Sequence, residues 1–124
     1  MRIVLANGCF DRFHDGHLRH LEEAKAMGDI LVVSVTEDRF VNKGPDRPVN
    51  NLARRLKMVR ALRCVDAAFS CISATEAILR VKPYIFVKGI DYAGGDRFSE
   101  DVARACEKVS AEIRYTTAPK QVAP

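Results

Sequence analysis

The sequence predicts an open parallel α/β sheet of about five strands with helices on both faces. β-branched runs such as residues 30–35 alternate along the chain with segments whose apolar residues recur at helical spacing. The length of 124 residues suits one domain. Hydrophobic residues make up 48% and charged residues 29% of the chain, a globular composition that excludes a largely disordered protein.

The first half of the chain is typical of a strand–helix–strand unit followed by a second helix. Residues 2–6 predict a short buried strand, and residues 16–27 predict a helix with its apolar side chains on one face. The run at 30–35 is the kind of strand that a parallel sheet buries on both faces. A polar loop over 42–51 then leads to a helix over 52–63 with a basic outer face.

The second half continues the alternation. Residues 67–71 predict a short strand, and Ser73 with Glu76 three residues later has the spacing of a capping box. The helix that starts there runs to about Val81 and is stopped by Pro83. The remaining predicted elements are a strand over 84–88, a helix over 99–111 and a strand over 112–116. This order is Rossmann-like, with right-handed crossovers between parallel strands.

We expect one domain over residues 1–124, of which 117–124 form a short irregular tail containing two prolines. No apolar run approaches the ~20 residues that cross a bilayer, and the N-terminal apolar segment is too short for a signal peptide. The four cysteines form no CxxC pair. Reduced thiols, no membrane partner and a cytoplasmic location are therefore expected.

The net charge of +4 is concentrated in one segment. Residues 39–63 are strongly basic, and Asp46 is the only acidic residue among them. Such a segment suits a polyanionic ligand, either a nucleotide or a nucleic acid. Phe40 is the only aromatic residue there, so aromatic side chains for base stacking are not interleaved with the charges. We therefore expect no nucleic-acid partner.

The segment after the first predicted strand carries the candidate chemistry. It reads Gly8-Cys9-Phe10-Asp11-Arg12-Phe13-His14-Asp15-Gly16-His17. Open α/β sheets bind ligands at the carboxyl ends of their strands, commonly just after the first. His14 and His17 project from one side of the first helical turn, beside backbone N–H groups that favour phosphate. Gly8 is expected to permit a tight turn, and Gly16 to leave the helix start open to an anion.

A metal site is the alternative interpretation of these histidines, because His14, His17 and His20 follow at intervals of three. Zinc-binding helices more often place two histidines four residues apart, and no Cys or Glu partner is fixed nearby. We therefore predict no metal ligands, and we expect His20 to be a surface or packing residue.

The pattern Gly8-x-Phe10-Asp11-x-x-His14-x-Gly16-His17 resembles the HxGH signature of the cytidylyltransferase-like nucleotidyltransferases. The resemblance covers about residues 2–116. Within the family, the chain is most similar to the domain that makes ADP-heptose, and next to glycerol-3-phosphate cytidylyltransferases. The stretches that carry this finer resemblance are Lys43-Gly44-x-x-Arg47-Pro48-Val49, Arg55 and Val87-Lys88-Gly89-x-Asp91-Tyr92.

The resemblance implies an enzyme that joins a nucleoside monophosphate from a nucleoside triphosphate to a sugar or polyol phosphate, releasing pyrophosphate. ATP and heptose 1-phosphate are the favoured substrates. The alternatives are CTP with glycerol 3-phosphate, or a nucleotide-binding relic with little turnover. The resemblance also implies Mg²⁺ carried by the triphosphate, and a homodimer.

Residue roles follow from the same resemblance. His14, His17 and Lys43 are implied to be catalytic, and Arg55 to clamp the triphosphate with its planar fork. Asp11 is expected to orient a histidine, to accept from the acceptor substrate or only to cap the turn. The implied nucleotide-binding residues are Gly8, Cys9, Phe10, Asp11, Gly16, Arg55, Lys88, Gly89, Asp91, Tyr92, Thr116 and Thr117.

Overall fold

A computed structural model of the chain describes residues 1–41, 48–88 and 100–117. The elements in chain order are β1 (Ile3–Gly8), α1 (Asp15–Lys25), β2 (Ile30–Thr36), a 3-10 turn (Asp38–Phe40), α2 (Leu52–Arg60), β3 (Ala67–Cys71), α3 (Ala74–Val81), β4 (Ile85–Lys88), α4 (Glu100–Lys108) and β5 (Glu112–Tyr115). The predicted alternation of strands and helices is confirmed.

The five strands form one parallel sheet in the order β3-β2-β1-β4-β5. The chain moves from β1 to one edge and then crosses to β4, so the strand order reverses between β1 and β4. Ligand crevices of open α/β sheets lie at such a reversal, outside the carboxyl ends of the strands. Here that position follows Gly8 on β1 and Lys88 on β4.

Helices cover both faces of the sheet, as predicted. Side chains of alternating strand residues such as Val4 and Val33 pack with Leu21 of α1 and Val59 of α2. The residues between them face the other way and pack with α3 and α4; Leu5 of β1 is one of these. Because β1, β2 and β4 are buried on both faces, they consist largely of continuous apolar runs, whereas the edge strand β5 is mostly exposed.

The helices α1 and α2 are shorter than predicted. Each ends in tighter turns, in which N–H groups bond to the carbonyl three residues back, as Met27 does to Ala24 and Leu62 does to Val59. Gly28 follows the first of these turns where the chain passes close to β1. A Cβ atom there would lie 2.7 Å from the Val4 side chain.

Within the described ranges, no helix is long and apolar enough to cross a bilayer.

Candidate functional site

The turn that joins β1 to α1 lies at the carboxyl edge of the sheet, where the HxGH segment was predicted to bind its ligand. Phe10 and Arg12 have φ values of 52° and 51°, which are uncommon for residues other than glycine. Gly8, by contrast, lies within β1 and pairs with Val35 of β2. The prediction that Gly8 makes the tight turn is therefore wrong. Glycine is required at this position for a steric reason instead, because a Cβ atom there would lie 2.9 Å from the Phe10 ring.

His14 and His17 form a reciprocal cap at the start of α1. The Nδ1 atom of His14 accepts a hydrogen bond from the Gly16 N–H at 3.1 Å. The Nδ1 atom of His17 accepts one from the His14 N–H at 3.2 Å. The two rings stack with their centroids 3.9 Å apart and 20° between their planes. The structure thus brings the two predicted catalytic histidines together and holds both rings by the backbone.

These caps determine which ring nitrogen carries the proton in each neutral imidazole. An Nδ1 atom that accepts a hydrogen bond carries no proton, so in each neutral ring the proton lies on Nε2. The ring of His17 also packs against Phe10 and Phe13, with centroids 5.6 and 5.2 Å away. The pair is therefore rigid, and its Nε2–H groups have the chemistry of donors for phosphate oxygens.

The Gly16 N–H is not open to an anion in this arrangement, because it already donates to His14. The N–H groups of His17 and Leu18 donate to the His14 carbonyl. The amide groups that sequence reasoning assigned to phosphate at Gly16 are thus partly occupied by the cap. The two imidazoles are therefore the candidate phosphate donors at this helix start.

Asp11 is buried and anchors the segment that precedes α2. Its two carboxylate oxygens accept from the Val49 N–H at 2.7 Å and the Asn50 N–H at 2.9 Å. The sequence left three roles open for Asp11, and the observed geometry is that of a cap. The N–H groups that it caps belong to residues 49 and 50, however, and not to its own turn. Asp11 therefore ties the HxGH turn to the start of α2.

The variant Asp11→Asn is expected to lose about 2 kcal/mol of unfolding free energy. An asparagine presents one acceptor oxygen and one NH₂ group, so one of the two backbone N–H groups faces a donor instead of an acceptor. Equilibrium urea denaturation of the variant beside the wild type measures the difference. A loss below about 0.5 kcal/mol would contradict the anchoring role.

Arg55 is the largest fully buried side chain of the described residues, at 2% exposure. Its guanidinium donates to the carbonyls of Asn50, Cys9 and Thr36 at 2.9, 2.9 and 2.7 Å, and it pairs with the Asp38 carboxylate. These acceptors occupy the fork that was predicted to clamp the triphosphate. The geometry makes Arg55 a positioning residue, which joins the ends of β1 and β2 to the start of α2.

The ends of β4 and β5 lie beside α1. The Lys88 carbonyl accepts from the Thr116 N–H at 2.9 Å, and burial lowers the pKa of the Lys88 amine. The Thr116 hydroxyl pairs with Nδ1 of His20 at 2.6 Å. Thr117 donates its N–H and hydroxyl to Glu23. The donors of the two threonines, predicted to hold the triphosphate, are thus engaged within the protein.

Four predicted site residues lie outside the described ranges, namely Lys43, Gly89, Asp91 and Tyr92. Cys9 is half-buried and contributes its carbonyl to Arg55.

Sequence reasoning missed Asp38, Asn50 and Glu23. Asp38 lies two residues after the end of β2, and its place near a carboxyl end was the available signal. Asn50 and Glu23 carry no comparable signal, because they act through partners that are distant in the sequence.

A cavity of about 570 Å³ lies between the HxGH turn and α2. Phe10 and Phe13 form one wall, and the same two rings contact His17 on the site side. Arg12, Arg54 and Lys57 are at its rim. Part of the positive charge predicted for residues 39–63 thus lines the cavity beside the HxGH turn. In the described part of the chain, no group of three His, Cys, Asp or Glu residues is placed to hold a metal ion.

Comparison with known proteins gives matches over most of the chain. The family model described as cytidylyltransferase-like matches residues 5–119. The bifunctional protein HldE of Coxiella burnetii is 48% identical over 103 residues, which are 76% of this chain and 22% of that protein. HldE of Pseudomonas syringae is 42% identical over 108 residues, 84% of this chain and 23% of that protein. The chain thus spans about a fifth of the length of these curated relatives.

Solved structures share the same architecture. The lipopolysaccharide core biosynthesis protein from Thermoplasma volcanium superposes with a TM-score of 0.78 at 30% identity, over 97% of this chain and 99% of that one. A pantoate-beta-alanine ligase from Francisella tularensis, solved with beta-gamma ATP and beta-alanine, superposes with a TM-score of 0.66 at 14% identity, over 97% of this chain and 60% of that one. At that identity the second likeness shows the fold alone.

Proposed function

The chain belongs to the cytidylyltransferase-like family of nucleotidyltransferases, and from this premise we propose that it joins a nucleoside monophosphate to a sugar phosphate. The proposed donor is ATP and the proposed acceptor is heptose 1-phosphate. The observation that carries the proposal is the stacked pair of His14 and His17 at the strand-order reversal. The sugar-phosphate assignment is supported by the lipopolysaccharide core biosynthesis protein among its structural relatives.

In the proposed reaction, a phosphate oxygen of the acceptor attacks the α-phosphorus of the triphosphate. A new phosphorus–oxygen bond forms, the bond to the α,β-bridging oxygen breaks, and pyrophosphate leaves with that electron pair. A phosphate monoester with a second pKa of about 6 is mostly dianionic at neutral pH, so the nucleophile needs no general base. The enzyme's task is to position the two substrates and to offset negative charge.

The histidine pair suits that task. Its Nε2–H groups are donors held in place by the backbone, so no reorganisation of the rings is required as charge develops on the phosphate oxygens. Mg²⁺ enters this proposal as part of the Mg–triphosphate substrate. Lys43 as a further catalytic cation, the homodimer and the cytoplasmic location stay predictions.

A matrix assay tests the proposal. Pyrophosphate release is measured for ATP, CTP, GTP and UTP against heptose 1-phosphate, glycerol 3-phosphate and related monoesters. The expected result is release that requires both substrates and is fastest with ATP and heptose 1-phosphate. Fastest release with CTP and glycerol 3-phosphate would replace the proposed substrates by the other pair. Nucleotide binding without release from any pair would overturn the proposed activity in favour of a binding relic.

A further inference from the structure

Two pairs of polar side chains connect α1 to the residues that follow β5, and neither pair has a part in the reaction described above. His20 pairs through Nδ1 with the Thr116 hydroxyl at 2.6 Å. The Glu23 carboxylate accepts from the N–H of Thr117 at 2.9 Å and from its hydroxyl at 3.0 Å. We call these four residues the α1–β5 contact. Thr116 is buried to 1% exposure, so its hydroxyl is a fixed partner rather than a solvated one.

The α1–β5 contact lies between the helix that carries the histidine pair and the carboxyl end of β4. His20 is one helical turn beyond His17, and both are therefore on the same side of α1. On its other side, Thr116 donates its backbone N–H to the carbonyl of Lys88, the last residue of β4. Two hydrogen bonds thus link the helix that carries the histidine pair to the carboxyl end of β4.

The hydrophobic core fixes α1 by other means. Leu21 and Ala24 belong to a core cluster that includes residues of β1, β2 and β4, with Val87 among those of β4. That packing does not itself involve β5. Because β4 is also paired directly with β1 in the sheet, the polar contact through His20 and Thr116 holds the segment after β5, rather than β4 itself, against α1.

We infer that His20 and Thr116 are positioning residues for the nucleotidyl transfer, because their hydrogen bond holds the segment after β5 between the helix that carries the histidine pair and the end of β4. The inference rests on the proposed function. A reaction catalysed mainly by positioning is sensitive to such spacing, and a shift of about 1 Å from a change away from the reacting atoms can lower the rate ~100-fold. Glu23 supports the bridge by holding the next residue, Thr117.

The pKa of His20 is consistent with its role as a neutral hydrogen-bond partner of Thr116. Burial is the main cause that lowers its pKa, and Lys88 on β4 acts in the same direction, while Glu23 on α1 opposes them. Thr116, from the segment after β5, faces the ring as a neutral hydroxyl. At neutral pH the ring is therefore uncharged and pairs with Thr116 as a neutral group.

The test compares Thr116→Val with Thr116→Ser in the pyrophosphate assay. Valine matches threonine in shape and keeps the backbone N–H to Lys88 but removes the hydroxyl, whereas serine retains the hydroxyl. We expect the valine variant to lose about 10- to 100-fold in kcat/KM and the serine variant to stay within about 3-fold of the wild type. His20→Gln keeps a polar partner for Thr116 and is expected to lie between them. Arg19→Ala, at the exposed neighbour of His20 on α1, is the matched control.

The outcomes separate the inference from the proposed function. Thermal denaturation identifies folded variants, and the comparison is made among those. A wild type that turns over, with Thr116→Val equal to it, would overturn the inference and leave the function intact. A wild type without turnover would overturn the function. In that case, ATP dissociation constants measured by calorimetry test the inference. An ATP affinity of the valine variant equal to that of the wild type would contradict it.

His20 also gives a pH readout, which reports whether its ring is held neutral in the folded chain. Because its pKa is lower in the folded chain than the ordinary 6.5, the unfolded chain binds more protons as the pH falls through 6.5. The stability that the neutral ring contributes is therefore full above pH 6.5 and decreases below it. We expect the melting temperature of the wild type to fall more steeply between pH 8 and pH 5 than that of His20→Gln. Parallel curves would contradict a buried neutral His20 at this position.

Discussion

Replacing His17 with alanine is expected to lower turnover by about 100-fold or more, the effect of removing one preorganised donor from a developing oxyanion. The stacked geometry adds a second reason, because His14 packs directly on the His17 ring and loses that support in the variant. Steady-state kinetics with saturating ATP and heptose 1-phosphate measure the change. Substrate binding is expected to change less than kcat, since the donor acts mainly on charge that develops in the transition state.

The structure also assigns His17 a local folding role, which a second variant separates from its chemistry. His17→Ala removes the acceptor of the His14 N–H, and a lost helix cap lowers the unfolding free energy by about 1 kcal/mol. Glutamine at the same position of a capping box can accept that N–H. His17→Gln is therefore expected to restore stability without restoring turnover. Turnover of either variant within about 3-fold of the wild type would remove the imidazole from the mechanism.

The sequence was sufficient to predict the fold, because its signals are local. The β-branched run of β2 and the Ser73 cap of α3 each involve neighbours along the chain, and both lie where they were expected. The histidine pair was also predictable, because three residues of spacing place His14 and His17 in one helical turn. What the spacing did not show is that each ring accepts a backbone N–H, which fixes its orientation.

The role of Arg55 was not predictable in the same way. A basic residue at the start of a helix, in a positively charged segment, is typical of a phosphate clamp. The positioning role of Arg55 depends instead on the carbonyl groups of Cys9 and Thr36. These two residues follow and end different strands, and they become neighbours only when β1 and β2 pair. Thr116 and Thr117 illustrate the same limit, because their partners on α1 lie more than 90 residues away.

Asp11, Asn50 and Arg55 form one connected framework beneath the site. The Asn50 N–H donates to Asp11, and the Asn50 carbonyl accepts from Arg55 Nε. Arg55 also binds the Cys9 carbonyl. The turn that precedes the histidine pair is therefore held at two positions, Cys9 and Asp11. The framework explains how the turn keeps two non-glycine residues in left-handed backbone conformations, which surrounding structure must stabilise.

Replacing Arg55 with methionine is expected to lower the unfolding free energy by about 3–5 kcal/mol. The variant leaves three backbone carbonyls without their donor, among them that of Thr36, and it leaves the Asp38 carboxylate without its cation. Arg55→Lys is expected to recover only part of the loss, because one ammonium cannot reach acceptors spread around a planar fork. Equilibrium urea denaturation followed by circular dichroism measures all three proteins.

The neighbouring Arg54 provides the matched control for this result. Its side chain is exposed on α2, so Arg54→Ala is expected to stay within about 0.5 kcal/mol of the wild type. An unfolding free energy of Arg55→Met within about 1 kcal/mol of the wild type would contradict the framework role. If that stable variant also lost ATP affinity, the triphosphate clamp would be the better account of Arg55. A large loss for Arg55→Met beside an unchanged Arg54→Ala would instead establish that the arginine acts by holding the turn on which the histidines stand.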